Sequence, residues 1–326
     1  MIVVITTPRN RISVKSLVDG NFGFPTPRLV QQDYDTLLLK RRIPKATYVF
    51  TDFERLSSRE LRSASKFYRL LRGQGLRCLN NPARAMSRVE LLQSLNAAGI
   101  NPFNAVRADE QQRHSRFPVF LRLEDTHTNP VSGLLNSPLE LEARLRRLRA
   151  RGLPLRGVLI VEYCGEPYAE GLWAKWGTFK IGSSLSVDHI AVDDNWFVKR
   201  GVWEKLTDEA IAEEHQAVTA NRFAKALHPV FKLAQIEWGR ADHAVVAGRT
   251  IVYEINTGPL IGPYVPDPNK LRRSTQTLAR KRIARALEAI DTKCSGTVRL
   301  PMPRQAQRRT WAFIRIPWLM KVRAKR

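Results

Sequence analysis

The stretch at residues 240–259 constrains this chain most. It reads Arg-Ala-Asp-His-Ala-Val-Val-Ala-Gly-Arg-Thr-Ile-Val-Tyr-Glu-Ile-Asn-Thr-Gly-Pro. Two β-prone runs flank a turn at Ala247-Gly248-Arg249, which is the pattern of a β-hairpin. With the turn centred on Gly248, Asp242 lies opposite Glu254. Side chains alternate faces along a strand, so Glu254 and Asn256 point the same way. Cross-strand Cβ atoms are roughly 5 Å apart, and like charges there repel. Two facing carboxylates beside an amide therefore call for a cation. An all-oxygen set suits Mg²⁺ (or Mn²⁺), which completes its shell with water and phosphate oxygens. Arg240 is two residues before Asp242, on the same face, where a guanidinium can grip a phosphate. The plainer alternative is a half-exposed hairpin with a solvated polar face.

At 326 residues the chain has room for two or three subdomains with their own cores. Apolar residues make up 43%, which argues against global disorder. No apolar run reaches the roughly 18 residues of a membrane span. The opening Met1-Ile2-Val3-Val4-Ile5 reads as a strand rather than a signal peptide. Cys78, Cys164 and Cys294 are scattered and form no C-x-x-C, which argues against a disulfide framework or structural zinc and fits a reducing cytoplasm. No H-E-x-x-H motif occurs, and no His neighbours a nucleophile motif, so metalloprotease and Ser or Cys hydrolase chemistry is unsupported. The net charge of +24 implies attraction to polyanions, whether nucleic acid, anionic lipid or an acidic substrate, or else reflects an Arg-rich composition on ordinary helices.

In chain order, residues 1–79 read as a small α/β unit. Strands are expected at 2–6, 48–51 and 76–79, with a helix from Ser57 or Ser58 to Arg72 carrying Glu60 in a capping box and ending at Gly73 and Gly75. No G-x-G-x-x-G follows the first strand, so no dinucleotide site is indicated. Asn80-Asn81-Pro82 precedes Arg88 and a helix over 89–98, closed by Gly99-Ile100-Asn101-Pro102. Residues 117–122 are a strand ending in Arg122. A basic helix spans 138–151. Residues 158–165 form a buried strand running into Glu162-Tyr163-Cys164-Gly165. Further strands fall at 179–182 and 190–192. One long helix is expected over 208–227, capped by Thr207 and ended by His228-Pro229, and a last basic helix over 270–290. Residues 299–326 hold no acid and many Arg and Lys, with Trp311, Phe313, Trp318 and Leu319 interspersed, and Pro301, Pro303 and Pro317 prevent one long helix. Such a segment can lie on an anionic membrane or bind RNA, or pack on its own domain.

Taken together, Asn-x-Pro, a helix, Gly-Ile, the Phe-Pro-Val-Phe-Leu-Arg strand, the Ile-Val-Glu-Tyr hinge and the Arg-x-Asp…Glu-x-Asn-Thr-x-Pro hairpin resemble the ATP-grasp superfamily. The likeness is clearest to its D-alanine–D-alanine ligase and glutathione synthetase branches and covers residues 80–259. It implies an α+β ATP-grasp fold with ATP between two sheet-bearing subdomains, preceded by a small N-terminal α/β unit. Residues 1–79 are then the N-terminal unit, 80–157 the N-subdomain, 158–292 the C-subdomain with the metal site, and 293–326 a basic tail.

The resemblance also implies residue roles. Asp242, Glu254 and Asn256 would hold Mg²⁺ against the ATP phosphates, and Arg240 would stabilise the phosphoryl group in flight. Lys199, with Arg200 beside it, stands where relatives place a Lys near the γ-phosphate. Arg88 and Arg122 stand where the family has phosphate-binding Lys. A guanidinium keeps the charge but not the compact shape of an ammonium; the alternative for Arg122 is a surface pair with Glu124 or Asp125. Glu162, Tyr163 and Cys164 match the start of the adenine hinge, and Glu166 or Glu170 the ribose acid. The loop at 124–133 lies where the family has a phosphate lid; it is poor in glycine but offers Thr126, His127, Thr128 and Ser132 as donors. The implied reaction is ATP-dependent ligation of a carboxylate-bearing small molecule or peptide through an acyl-phosphate. A small-molecule kinase on the same fold is one alternative. A catalytically degenerate protein that binds nucleic acid or an anionic surface is the other.

Overall fold

The structure, a computed structural model, describes residues 1–110, 116–126, 128–199, 201–293 and 295–300. The chain divides into two compact units. One comprises Met1–Ala85, Thr257–Val265 and the described residues from Ala284 onward; the other comprises Met86–Asn256 and Pro266–Ile283.

The first unit is built on a parallel sheet of order β2-β1-β4-β5. Its strands are β1 (Ile2–Thr6), β2 (Leu29–Asp33), β4 (Thr47–Phe50) and β5 (Cys78–Leu79), with the short helices α1 (Lys15–Val18) and α2 (Tyr34–Leu38) and a separate strand β3 (Arg42–Pro44). Every residue of β1 is buried, as an unbroken apolar run in a parallel sheet requires. Helix α3 (Ser58–Gly73) starts at the expected capping box of Ser57 and Glu60. Strand β2 escaped the sequence reading because Leu-Val-Gln-Gln-Asp lies at the sheet edge and is mostly half-buried.

Asp52, two residues past the end of β4, is in the left-handed region (φ 61). Its carboxylate accepts from Thr7 N (2.7 Å) and Thr7 Oγ1 (2.9 Å). A Cβ on Gly258 would stand 1.9 Å from Asp52 Oδ1, so the 257–265 return passes here only as glycine.

The stretch expected to be a basic tail from 293 contains the strand Thr297–Arg299, paired antiparallel with β3, and Leu300 is buried. Residues 301–326, with Trp311 and Trp318, lie outside the described residues, as do Cys294, His127 and Arg200.

The second unit holds two antiparallel sheets. Helix α4 (Arg88–Ala97), capped by Ser87 and Glu90, precedes the three-stranded sheet β6-β8-β7, formed by β6 (Ala105–Arg107), β7 (Val119–Leu123) and β8 (Val158–Glu162). In β7, Val119 and Leu121 pack on Leu141, Leu145 and Leu148 of α5 (Pro138–Ala150). Phe120 takes the other face with Leu159 and Val161, against Ala244 and Ile251 of the larger sheet. Strict alternation therefore puts Arg122 on that second face too. The larger sheet has the order β10-β9-β11-β12, with β9 (Trp173–Ile181), β10 (Ser184–Asp193), β11 (Trp238–Val246) and β12 (Arg249–Asn256).

The single helix expected over 208–227 is instead two, α6 (Asp208–Ala220) and α7 (Ala224–Ala234). The break is at Asn221, which adopts a left-handed φ of 50, a conformation Asn tolerates. Pro229, read as a terminator, lies inside α7. It is exposed, as is Lys225, whose carbonyl loses a partner, so solvent can supply it. Helix α8 (Lys270–Ile290) spans the expected residues. Among the described residues no helix is long and apolar enough to cross a membrane.

Candidate active site

The β11–β12 hairpin closes through the two residues Ala247 and Gly248, both at positive φ (47 and 74), with Val246 paired to Arg249. That is the geometry of a two-residue hairpin loop. Pairing proceeds to His243 opposite Val252; a bulge then inserts Tyr253, and Asp242 faces Glu254. The expected pairing of the two acids thus arises from a tighter turn plus one extra residue. The bulge matters for the site. Ile251 and Tyr253 belong to the apolar face packed on Phe120 and Val161, and an unbroken strand would turn Glu254 away from them. With the bulge, Tyr253 and Glu254 both line one cavity.

This cavity, of about 290 Å³, lies between the two sheets of the second unit. One end is aromatic. Phe120 and Trp196 have ring centroids 5.0 Å apart, Tyr163 and Trp196 meet edge-on at 5.5 Å, and Phe103 and Tyr253 lie tilted to each other at 6.2 Å. The hinge after β8 forms its rim, from Glu162 to Tyr168. The other end is charged, with Arg122, Lys175, Asp242 and Glu254.

Each acid is held by two cations. Arg88 Nη2 donates to Glu254 Oε2 at 2.7 Å, and Arg122 Nη2 to the same oxygen at 3.4 Å. Arg240 Nε donates to Asp242 Oδ1 and Lys175 Nζ pairs with Asp242 Oδ2, both at 2.9 Å. Burial pushes the Glu254 carboxyl up, but the charges of Arg88 and Arg122 more than reverse this and hold it at about 2. Asp242 is likewise pushed up by burial and driven well below the usual carboxylate range by Arg240 and Lys175. Burial lowers the Arg122 guanidinium to about 10, against the pull of Glu254, so it stays charged at neutral pH. The Nε–H groups of Arg88 and Arg122 are buried with no acceptor among the described residues.

The structure brings Arg88, Arg122, Arg240, Asp242 and Glu254 together, and Asn256 shares their strand face as the register partner of Arg240. Arg88 also ties down the loop after β7, donating to the carbonyls of Leu123, Glu124 and Thr126. The surface pair of Arg122 with Glu124 or Asp125 does not form; Glu124 pairs with Arg107 instead. Glu162 lines the cavity, but its carboxylate accepts from the backbone N–H groups of Asn104 (2.9 Å) and Arg116 (2.8 Å). Tyr163 accepts from Trp173 Nε1 at 3.0 Å, and the Cys164 carbonyl from Tyr253 at 3.4 Å. Glu170 is exposed and not part of the lining, whereas Glu166 lines the cavity and accepts from Ala247 N.

Lys199 is exposed and outside the lining; its carbonyl accepts from Lys175 Nζ at 3.2 Å. Lys175 is the ammonium at the charged end, and the sequence reading missed it. Extending the strand at 179–182 backward through Trp173-Ala174-Lys175-Trp176-Gly177 would have found it, because Lys175 shares a strand face with Gly177, the register partner of Asp242.

Two ionised carboxylates facing each other across the hairpin, with the Asn256 amide on the same strand face as Glu254, form an oxygen donor set that fits a hard divalent cation. Among the described residues no group of three or more His, Cys, Asp or Glu could hold a metal. An ion here would therefore lean on nucleotide phosphates for the rest of its shell, as Mg²⁺ commonly does.

No protein-family model matches the sequence, and no curated protein does. Among solved structures, D-alanine–D-alanine ligase from Bacillus anthracis aligns over 88% of this chain and 97% of its own, at 13% identity and a TM-score of 0.50. The VanG D-Ala:D-Ser ligase from Enterococcus faecalis aligns over 89% and 98% at 11% identity, TM-score 0.48. A RimK-domain ATP-grasp protein from Sphaerobacter thermophilus aligns over 86% and 97% at 14% identity, TM-score 0.47. The chain shares its fold with the Bacillus anthracis ligase over most of both chains, in line with the fold that the sequence resemblance implies.

Proposed function

We propose that this protein is an ATP-dependent ligase that activates a substrate carboxylate as an acyl-phosphate for attack by an amine or similar nucleophile. One observation carries the reading: an aromatic slot ends in two ionised acids held by four cations. Adenine fits among Phe120, Tyr163, Trp196 and Tyr253, with the hinge at Glu162, Tyr163 and Cys164 along its edge. The polyphosphate runs toward Arg122, Arg88 and Lys175, whose charges it would offset, and it would satisfy the unpaired Nε–H groups of the two arginines. Asp242, Glu254 and Asn256 would hold Mg²⁺ or Mn²⁺, which when bound neutralises phosphate charge. In this reading residues 80–157 and 158–292 are the two nucleotide-binding subdomains.

The carboxylate oxygen of the substrate attacks the γ-phosphorus, and ADP leaves. Arg240 and Lys175 face the transferred group and offset the charge it gathers. The amine then attacks the carbonyl carbon, an amide forms, and inorganic phosphate departs. In the same reading the protein works in a reducing cytoplasm.

The test is Mg²⁺-dependent ADP release across a panel of amino acids and short peptides. Release coupled to a new amide supports a ligase. A stable phospho-product would mark a kinase. Absence of both nucleotide binding and ADP release would favour the polyanion-binding reading suggested by the net charge of +24.

A further inference from the structure

The first unit holds a pair of like charges that the nucleotide cavity does not use. Strand β3 and the strand Thr297–Arg299 form a two-stranded antiparallel ribbon, in which Arg42 is the register partner of Arg299. Directly opposed residues have Cβ atoms roughly 5 Å apart, and like charges there repel. The ribbon holds the two guanidiniums together all the same. Ile43 is 1% exposed and Leu300 is buried, so the register is anchored from the opposite face. Alternation then sends Arg42 and Arg299 outward, and both are exposed. Neither side chain has a hydrogen-bond or ionic partner among the described residues.

The flanking sequence adds to the imbalance. Residues 40–45 read Lys-Arg-Arg-Ile-Pro-Lys, and no acidic residue follows Asp291, whose carboxylate pairs with the Met1 ammonium. Arg41 and Lys45 are exposed, and Lys45 N donates to the Gly296 carbonyl at 2.9 Å, which keeps the lysine beside the ribbon. From Arg42 to Lys45 the cations extend over about 10 Å at the rise of a strand. This face lies where β1 and β4 begin, because β3 leads into β4 and Thr47 N donates to the Met1 carbonyl at 3.1 Å. Asp52 and Gly258 meet at the other end of the same strands.

We propose that this face binds the phosphate backbone of a nucleic acid, a function separate from the ligase reaction. Guanidiniums match phosphate oxygens bidentately, and a row of cations gains by releasing the counterions of a polyanion. One strand of a duplex carries a charge about every 3.4 Å, so the row meets about three phosphates. The chain's own continuation has the wrong sign to cover the face, since residues 301–326 hold eight Lys or Arg and no acid. A lipid surface is favoured by an apolar face to bury, whereas the outer side of the ribbon presents Arg42, Pro44, Thr297 and Arg299. None of these four is aromatic, so the ribbon contacts phosphate without stacking on bases and has no sequence preference.

The test uses the full chain and two fluorescent probes, an oligouridylate and a short DNA duplex of mixed sequence, read by anisotropy over a salt series. The wild type should bind at least one of them with a steep salt dependence. Arg299→Glu turns the repelling pair into a cross-strand ion pair, so thermal stability should hold or rise. Its affinity for nucleic acid should nevertheless fall about tenfold or more, and the slope of log affinity against log salt should drop by about one. Arg299→Lys should keep most of the affinity. Arg147→Glu, at an exposed position of α5 in the second unit, changes the net charge equally and should leave binding nearly unchanged. No binding of either probe by the wild type, or equal losses in Arg299→Glu and Arg147→Glu, overturns the proposal. So does binding only to vesicles of phosphatidylcholine and phosphatidylserine in equal parts, which would give the face to a lipid surface. Calorimetry of a non-hydrolysable ATP analogue should give one affinity for all these chains, because neither position lines the nucleotide cavity. A wild type that binds the probes through this face but no nucleotide would break the ligase reading and leave this proposal supported.

Discussion

Arg88 and Glu254, 166 positions apart in the chain, meet at 2.7 Å, and Arg122 reaches the same carboxylate oxygen. Asp242, directly across the hairpin, is held the same way by Lys175 and Arg240. Four cations on two acids leave an excess of positive charge that a polyphosphate would neutralise. A divalent cation arriving alone must compete with all four, so its binding should depend on nucleotide. Mn²⁺ titrated without nucleotide should bind at least about tenfold more weakly than with a non-hydrolysable ATP analogue. Equal affinity in the two titrations would show that the cations do not block the acids.

Glu254→Gln is nearly isosteric and keeps an oxygen acceptor for Arg88. Stability should fall by about 1–3 kcal/mol, since a charge-assisted pair becomes a neutral one. Mg²⁺-dependent ATP turnover should drop by about 100-fold or more, because one carboxylate of the donor set is gone. Wild-type turnover in a folded variant would remove Glu254 from the metal site.

His243 gives a pH dependence whose sign can be worked out. It is fully buried, its Nε2 meets Thr178 Oγ1 at 2.8 Å, and burial lowers its imidazole to about 3. The unfolded ring titrates near 6.5, so between about pH 6.5 and 3 the unfolded chain binds the extra proton and stability falls as pH falls. The limiting slope is about 1.4 kcal/mol per pH unit. Asp242 and Glu254 have depressed pKa values and add a loss only below about pH 4.5, the unfolded carboxyl range. Urea unfolding between pH 6 and 5 isolates the histidine. His243→Gln should flatten the slope there, and an unchanged slope would assign it to another group.

The sequence makes some of this site legible and hides the rest for physical reasons. The Arg-x-Asp and Glu-x-Asn runs show their faces because strand alternation is local. Arg122 is readable for the same reason, with Val119 and Leu121 marking the opposite face. Its partner is not readable, because nothing local announces a contact with Glu254. The bulge at Tyr253 has no Gly or Pro to mark it; the expected turn happened to give the same acid pairing. Lys199 attracted the role suggested by motif order, while the sheet register brings Lys175 to Asp242. The helix break at Asn221 was hidden by Pro229, a stronger breaker in general but harmless at an exposed position.

The basic segment is tested by truncation after Leu300, which keeps the strand Thr297–Arg299 and its pairing with β3. Removing residues 301–326 should weaken binding to heparin, RNA or anionic vesicles, with a steep salt dependence in the full chain. Nucleotide affinity should not change. Equal retention of the two proteins on heparin would remove the segment as a polyanion site.

Calorimetry of ATP with the wild-type chain and Arg122→Ala, in excess Mg²⁺, tests the central claim most directly. Arg122 is buried at the charged end of the cavity, on the face that alternation assigns it. A desolvated charge-assisted contact is worth about 1.5–3 kcal/mol. The wild type should therefore bind one ATP, and Arg122→Ala should bind it about 10- to 150-fold more weakly, with Arg122→Lys in between. A wild-type chain that binds no ATP, or an Arg122→Ala variant with unchanged affinity, would contradict the assignment of this cavity as a nucleotide site.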